Sequence, residues 1–137
     1  MKKTGECLNC HTTFEYRETQ SNGMYCSNKC QGIKRWEQTK KELKLDQHGN
    51  GRSVGTIKKY LHEVKGRKCE MCGITEWLGN PLVTILDHID GNSDNWKFDN
   101  LRLICSNCDS TLSTYKKRNV GNGRFKRKQR YAENLSY

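Results

Sequence analysis

Proline is nearly missing from this chain, one among 137 residues, and apolar residues make up only 33% of it. So small an apolar share cannot build a large core, and chains of this length bury a poor fraction of their surface in any case. Something besides hydrophobic burial must hold the fold together. No run of about 18 apolar residues occurs, which excludes a transmembrane helix within the sequence. The opening Met-Lys-Lys-Thr-Gly-Glu-Cys lacks an apolar stretch, so no signal peptide is expected and the expected location is a reducing cytoplasm. Acidic residues are also missing from one long interval, between Asp109 and Glu133.

That interval holds Lys116, Lys117, Arg118, Arg124, Lys126, Arg127, Lys128 and Arg130, leaving 17 cationic against 15 acidic residues elsewhere. The chain's formal charge of +10 is therefore concentrated near its C-terminal end. Tyr115, Phe125 and Tyr131 are interleaved with the cations. Clustered lysine and arginine with interspersed rings suits phosphate contact and stacking on bases, so these eight residues are candidate nucleic-acid contacts. The competing reading is a solvated tail without a specific partner.

Against these scarcities stand 8 cysteines. They fall as Cys7-x2-Cys10 with Cys26-x3-Cys30, and Cys69-x2-Cys72 with Cys105-x2-Cys108. In a reducing compartment such pairs read as metal ligands rather than disulfides. Two close thiolates on a tight turn can point at one ion, and two turns complete a tetrahedral four-sulfur site of the structural zinc type; neighbouring pairs are joined here, with interleaved sites as the alternative. Two structural Zn2+ are thus expected, each worth about 10–16 kcal/mol of folding energy at neutral pH. His11, beside Cys10, is read as a surface histidine, with ligand substitution as the alternative.

Phe14, Tyr16 and Tyr25 supply core material for the first quartet, on short strands. Cys26-Ser27-Asn28-Lys29-Cys30 predicts a helix start capped by Ser27 or Asn28 and continuing through Ile33, Trp36 and Leu43. A CxxC turn followed by a second pair at a helix N-terminus resembles treble-clef zinc fingers. Asp46–Arg52 reads as a flexible break. Val54, Ile57, Leu61 and Val64 then recur at helical spacing, with Ser53 as cap and Gly66 as stop. The stripe is assigned to packing, and His62 to an exposed or packing role. Leu82–Leu86 predicts a strand ending at Asp87-His88. A polar loop, a second strand Leu101–Ile104 and a last helix opened by Cys105–Asp109 follow.

Within this unit Asp87, His88, Asn100 and Asp109 form the one constellation with chemistry. The stretch Cys69-Glu-Met-Cys72, Leu86-Asp-His-Ile-Asp-Gly-Asn92 and Asp99-Asn-Leu-Arg-Leu-Ile-Cys-Ser-Asn-Cys108 closely resembles the HNH nucleases, whose ββα-metal fold is often braced by two CxxC pairs. The resemblance covers roughly residues 58 to 119. It implies that His88 is the general base, that Asp87 is a ligand of one catalytic Mg2+ or Mn2+, and that Asn100 ties down the loop to orient His88. Asp109 stands where the family usually has histidine. A working oxygen ligand, better suited to Mg2+ than imidazole is, competes with a carboxylate merely favoured at a helix N-terminus. Adjacent strand residues point to opposite faces, so Asp87 and His88 share a site only if the strand ends or twists there. Asp90, Asp94 and Asp99 are assigned to a solvated loop.

The expected fold is α+β, a small zinc-stabilised two-module protein. A treble-clef-like finger and helix occupy 1–45, a flexible linker 46–52, a ββα-metal HNH domain 53–119 and a basic tail 120–137. The resemblance implies a metal-dependent DNA endonuclease that nicks double-stranded DNA as a monomer or weak dimer, leaving 5′-phosphate and 3′-hydroxyl ends. It further suggests a phage or mobile-element origin, with a host cytoplasm as the location in the first case. The alternative is a catalytically weak or inactive zinc-finger protein on the same frame, binding nucleic acid or serving a larger nucleic-acid machine.

Overall fold

The computed structural model describes residues 1–119 and 124–134. The chain divides into two compact units, Met1–Asp46 and Gln47–Tyr137. In the first, strands β1 (Lys3–Glu6) and β2 (Thr13–Tyr16) pair antiparallel, with Lys3 opposite Tyr16 and Glu6 opposite Thr13. The Cys7–Cys10 turn joins them, held where the Cys7 N–H donates to the Thr12 carbonyl and the His11 N–H to that of Cys7. Helix α1 (Asn28–Asp46) starts as its sequence predicts: the Ser27 hydroxyl accepts the Cys30 N–H at 3.2 Å, satisfying one orphan donor of the first turn. Gly23 is obligatory, because it has φ 71° and a Cβ there would lie 2.3 Å from the Tyr16 ring. Ile33, expected on the apolar face of α1, is exposed, and Tyr25 lies outside both strands.

The second unit begins with His48 bridged to Lys97, the Gly49 N–H on the Trp96 carbonyl and the Phe98 N–H on that of Gln47. Helix α2 (Val54–Lys65) is capped by Ser53, which accepts the Thr56 N–H, and ends at Gly66. Its buried face is Ile57, Tyr60 and Leu61, while the ends of the predicted stripe, Val54 and Val64, are exposed. Tyr60 packs on Phe98 with ring centroids 5.3 Å apart. A small hairpin, β3 (Glu76–Trp77) with β4 (Asn80–Pro81), follows the Cys69–Cys72 turn. Strands β5 (Ile85–His88) and β6 (Leu101–Ile104) pair antiparallel, Ile85 opposite Ile104 and His88 opposite Leu101. Helix α3 (Ser106–Thr111) leaves β6 directly.

One buried cluster of this unit is built on its sulfurs. Cys69, Leu82, Ile104 and Cys105 are buried together, with Ile74, Ile85, Cys108 and Leu112 packed around them. Two predicted elements differ from the structure. The strand begins at Ile85 rather than Leu82, because side chains claim the backbone carbonyls before it: Arg67 donates to that of Leu82 and Lys58 to that of Thr84. Nor is α3 the last helix, since α4 (Arg124–Ala132) follows, tied to the loop between β5 and β6 by an ion pair between Arg130 and Asp94. Among the described residues no helix is long and apolar enough to cross a membrane.

Candidate active site and zinc centres

Cys7, Cys10, Cys26 and Cys30 place their sulfurs within 4.8 Å of one another, as do Cys69, Cys72, Cys105 and Cys108. The separations are 3.6 Å for Cys10–Cys26, 3.5 Å for Cys26–Cys30 and 3.8 Å for Cys72–Cys105. A tetrahedron with metal–sulfur bonds of about 2.3 Å has edges of about 3.8 Å, so both quartets fit a four-coordinate zinc-sized ion. Local backbone makes the turns. Gly73, after Cys72, and His11, after Cys10, occupy the same left-handed position with φ of 79° and 59°. His11 is exposed and its Nδ1 lies 3.1 Å from Glu6, so the first sulfur quartet is complete without it.

The thiols carry the electrostatic signature of a cation site. Burial pushes Cys7 and Cys69 up, yet backbone N–H groups around each sulfur outweigh it and bring both down to about 6. Cys26 is pushed up to about 12 by the sulfurs of Cys30, Cys10 and Cys7. Cys108 is pushed up to about 12 by burial and then by Cys105, Cys72 and Cys69. Four thiolates cannot coexist at that spacing without a positive charge between them.

The second constellation lies at the end of β5. Asp87, His88 and Asp109 line one open cleft of about 400 Å3, together with Gly91, Tyr115 and Lys116. The strand ends where the site needs it to. The Gly91 N–H turns back onto the His88 carbonyl at 2.8 Å with φ 72°, immediately after the Asp-His pair. His88 is half-buried, edge-on to Trp96 at 4.9 Å, and its Nε2 is buried without a hydrogen-bond partner. Desolvation lowers its pKa below the ordinary histidine value, against the opposing pull of Asp90 and Asp87. Burial raises Asp109 above the usual carboxylate range, the nearby Asp87 charge raises it further, and Lys116 offsets part of this. Among the described residues only the cysteine quartets draw three or more ligand atoms within 4.8 Å, so Asp87, His88 and Asp109 share the cleft without closing on one point. Two carboxylates on one open cleft, the Asp87 charge opposing that of Asp109, nevertheless suit a divalent cation with oxygen ligands.

Asn100 braces the loop behind His88. Its backbone carbonyl accepts the Ile89 N–H and its Oδ1 accepts that of Asp90 at 3.1 Å. Its Nδ2 donates to Asp90 Oδ1 at 2.9 Å and to the Asn95 carbonyl at 3.0 Å. Asp90, assigned from sequence to a solvated loop, is the acceptor hub of this brace, taking bonds from Asn92 and Asn95 as well. Burial opposes the Asp90 charge, but those donors outweigh it and hold its pKa below the usual range.

Sequence reasoning missed Arg102. Its Nε donates to Asp87 Oδ2 at 2.7 Å, and the two are register partners on β5 and β6. The available signal was alternation, since facing residues of paired strands share a face. Lys116, counted with the basic segment, lines the cleft, its Nζ 4.7 Å from the Tyr115 ring centroid. Arg118 donates to the Leu112 carbonyl beyond α3, Arg130 pairs with Asp94, and Lys128 is exposed. The side chains of Lys117, Arg124, Lys126 and Arg127 lie outside the described residues.

No family model matches the chain, and no solved structure matches it. Over 76 residues it is 41% identical to the H-N-H endonuclease F-TflIV of Escherichia phage T5. The match covers 53% of this chain and 34% of that protein, so the chain spans about a third of its relative's length. The resemblance to HNH endonucleases carried by the Asp87-His88 and cysteine motifs is therefore borne out by similarity to a curated HNH endonuclease over about half of the chain.

Proposed function

We propose that this chain is a metal-dependent HNH endonuclease that hydrolyses phosphodiester bonds in double-stranded DNA. The observation that carries this reading is the single cleft shared by Asp87, His88, Asp109 and Lys116, in a chain similar to a phage HNH endonuclease. Asp87 and Asp109 would hold one Mg2+ or Mn2+, which supplies charge stabilisation at the scissile phosphate and the leaving 3′-oxygen. His88 is the general base. Its lowered pKa keeps the ring neutral at pH 7, and with Nε2 buried the proton of the attacking water goes to Nδ1. Asn100 and Asp90 fix the loop that sets the ring's direction. Lys116, which lines the same cleft, would meet phosphate oxygens. Both cysteine quartets would hold structural zinc.

The same reading takes 1–45 as a finger module, 46–52 as the connection, 53–119 as the nuclease domain and 120–137 as a basic tail, the finger and tail gripping the duplex. One such cleft among the described residues implies nicking by a monomer or weak dimer. Incubation with supercoiled plasmid and Mg2+ or Mn2+ should give open circles that DNA ligase reseals without kinase treatment, as 5′-phosphate and 3′-hydroxyl ends require. Salt-sensitive DNA binding without any nick would instead support the inactive zinc-finger alternative.

A further inference from the structure

The strand pair that carries Asp87 also carries its partner. Arg102 and Asp87 face each other across β5 and β6, 2.7 Å apart, with the aspartate side chain 10% exposed and the arginine 23%. Only one carboxylate oxygen, Oδ2, accepts that bond. Both residues sit on regular strand, where the backbone fixes side-chain direction better than a loop does. Arg102 is itself held by its pairing on β6, whose neighbour Leu103 is bonded to Glu70 through both backbone and side chain.

We propose that Arg102 is a positioning residue that clamps Asp87 so that its second oxygen, Oδ1, is presented to the catalytic cation. This inference rests on the nuclease reading and deepens it. A carboxylate free to rotate at a strand end loses entropy on binding a cation, and a guanidinium fixed on one oxygen removes that freedom beforehand. The guanidinium stays charged at any working pH, so it also offsets part of the repulsion between Asp87 and Asp109. These two effects act in opposite directions on cation affinity: orientation strengthens it, and the positive charge weakens it. The short, largely buried contact favours orientation.

The test is direct Mn2+ binding to the zinc-loaded full chain without DNA, followed by electron paramagnetic resonance. The variants are Arg102→Gln, which keeps a donor of smaller reach, and Arg102→Lys. Orientation predicts that Arg102→Gln weakens Mn2+ binding about tenfold and that Arg102→Lys recovers part of the loss, with zinc content and circular dichroism unchanged. Equal or tighter Mn2+ binding by a folded Arg102→Gln would overturn the clamp. A native chain that takes up no Mn2+ beyond its zinc sites overturns the clamp and the catalytic-cation reading together. A native chain that binds Mn2+ and cuts no DNA overturns the nuclease reading alone.

Discussion

At Asp109 the chain puts a carboxylate where imidazole is the commoner choice among the nucleases it resembles. The consequence is a cleft with two acids, the Asp87 charge opposing ionisation of Asp109, and a lysine beside them. If Asp109 is a ligand, Asp109→Ala should raise the Mg2+ concentration for half-maximal cleavage and lower the rate by at least about tenfold. Asp109→His should keep some activity and shift the preference toward softer ions. Unchanged cation dependence in Asp109→Ala would show a carboxylate that serves only the start of α3. The neighbouring residues were legible to different degrees. His88 and Asn100 stood out by their spacing inside the cysteine frame. Asp90 and Arg102 did not, because their importance comes from partners ten and 15 residues away.

Among the elements, helix α2 could be read almost residue by residue, because its cap, stripe and stop are local signals. Its tertiary bonds could not. His62 Nε2 lies 2.8 Å from the hydroxyl of Thr84, a residue 2% exposed. Burial lowers the His62 pKa, and the charges of Arg67 and Lys58 lower it further. The unfolded chain thus binds the His62 proton more readily than the folded one. The stability tied to neutral His62 is present above the unfolded value near 6.5 and is lost as pH falls toward the lower folded value. His62→Gln should therefore flatten the fall in melting temperature below about pH 6.5, measured by scanning calorimetry; an unaltered slope would remove His62 from the account. The start of β5 is hidden from the sequence for a related reason. Leu82–Thr84 has strand composition, but Lys58 and Arg67 take its carbonyls, which no local pattern reveals.

For the whole molecule, the low apolar content and the two sulfur quartets belong together. Residues that a larger domain would spend on core are replaced here by Cys69 and Cys105 packed beside Leu82 and Ile104. The cysteine spacing made this visible from the outset, whereas the helix within the basic segment was hidden by its charge. Deleting residues 119–137 removes Arg124, Lys126, Arg127, Lys128 and Arg130. Arg130 is engaged on Asp94, so the log–log salt slope of DNA binding should fall by at most roughly 0.9 for each of the remaining four. An identical slope for the truncated chain would mean that the segment does not touch phosphate.

On the proposed reading, His88 drives phosphodiester hydrolysis in the Asp87–Asp109 cleft. Its most direct test compares plasmid nicking in Mn2+ by the native chain and by His88→Ala, alongside their zinc content and DNA affinity. Open circles are expected from the native chain and at least a hundredfold slower nicking from the variant, on the order expected for loss of a general base, with zinc and binding unchanged. Equal nicking by both proteins, or none by the native chain, would overturn the role given to His88.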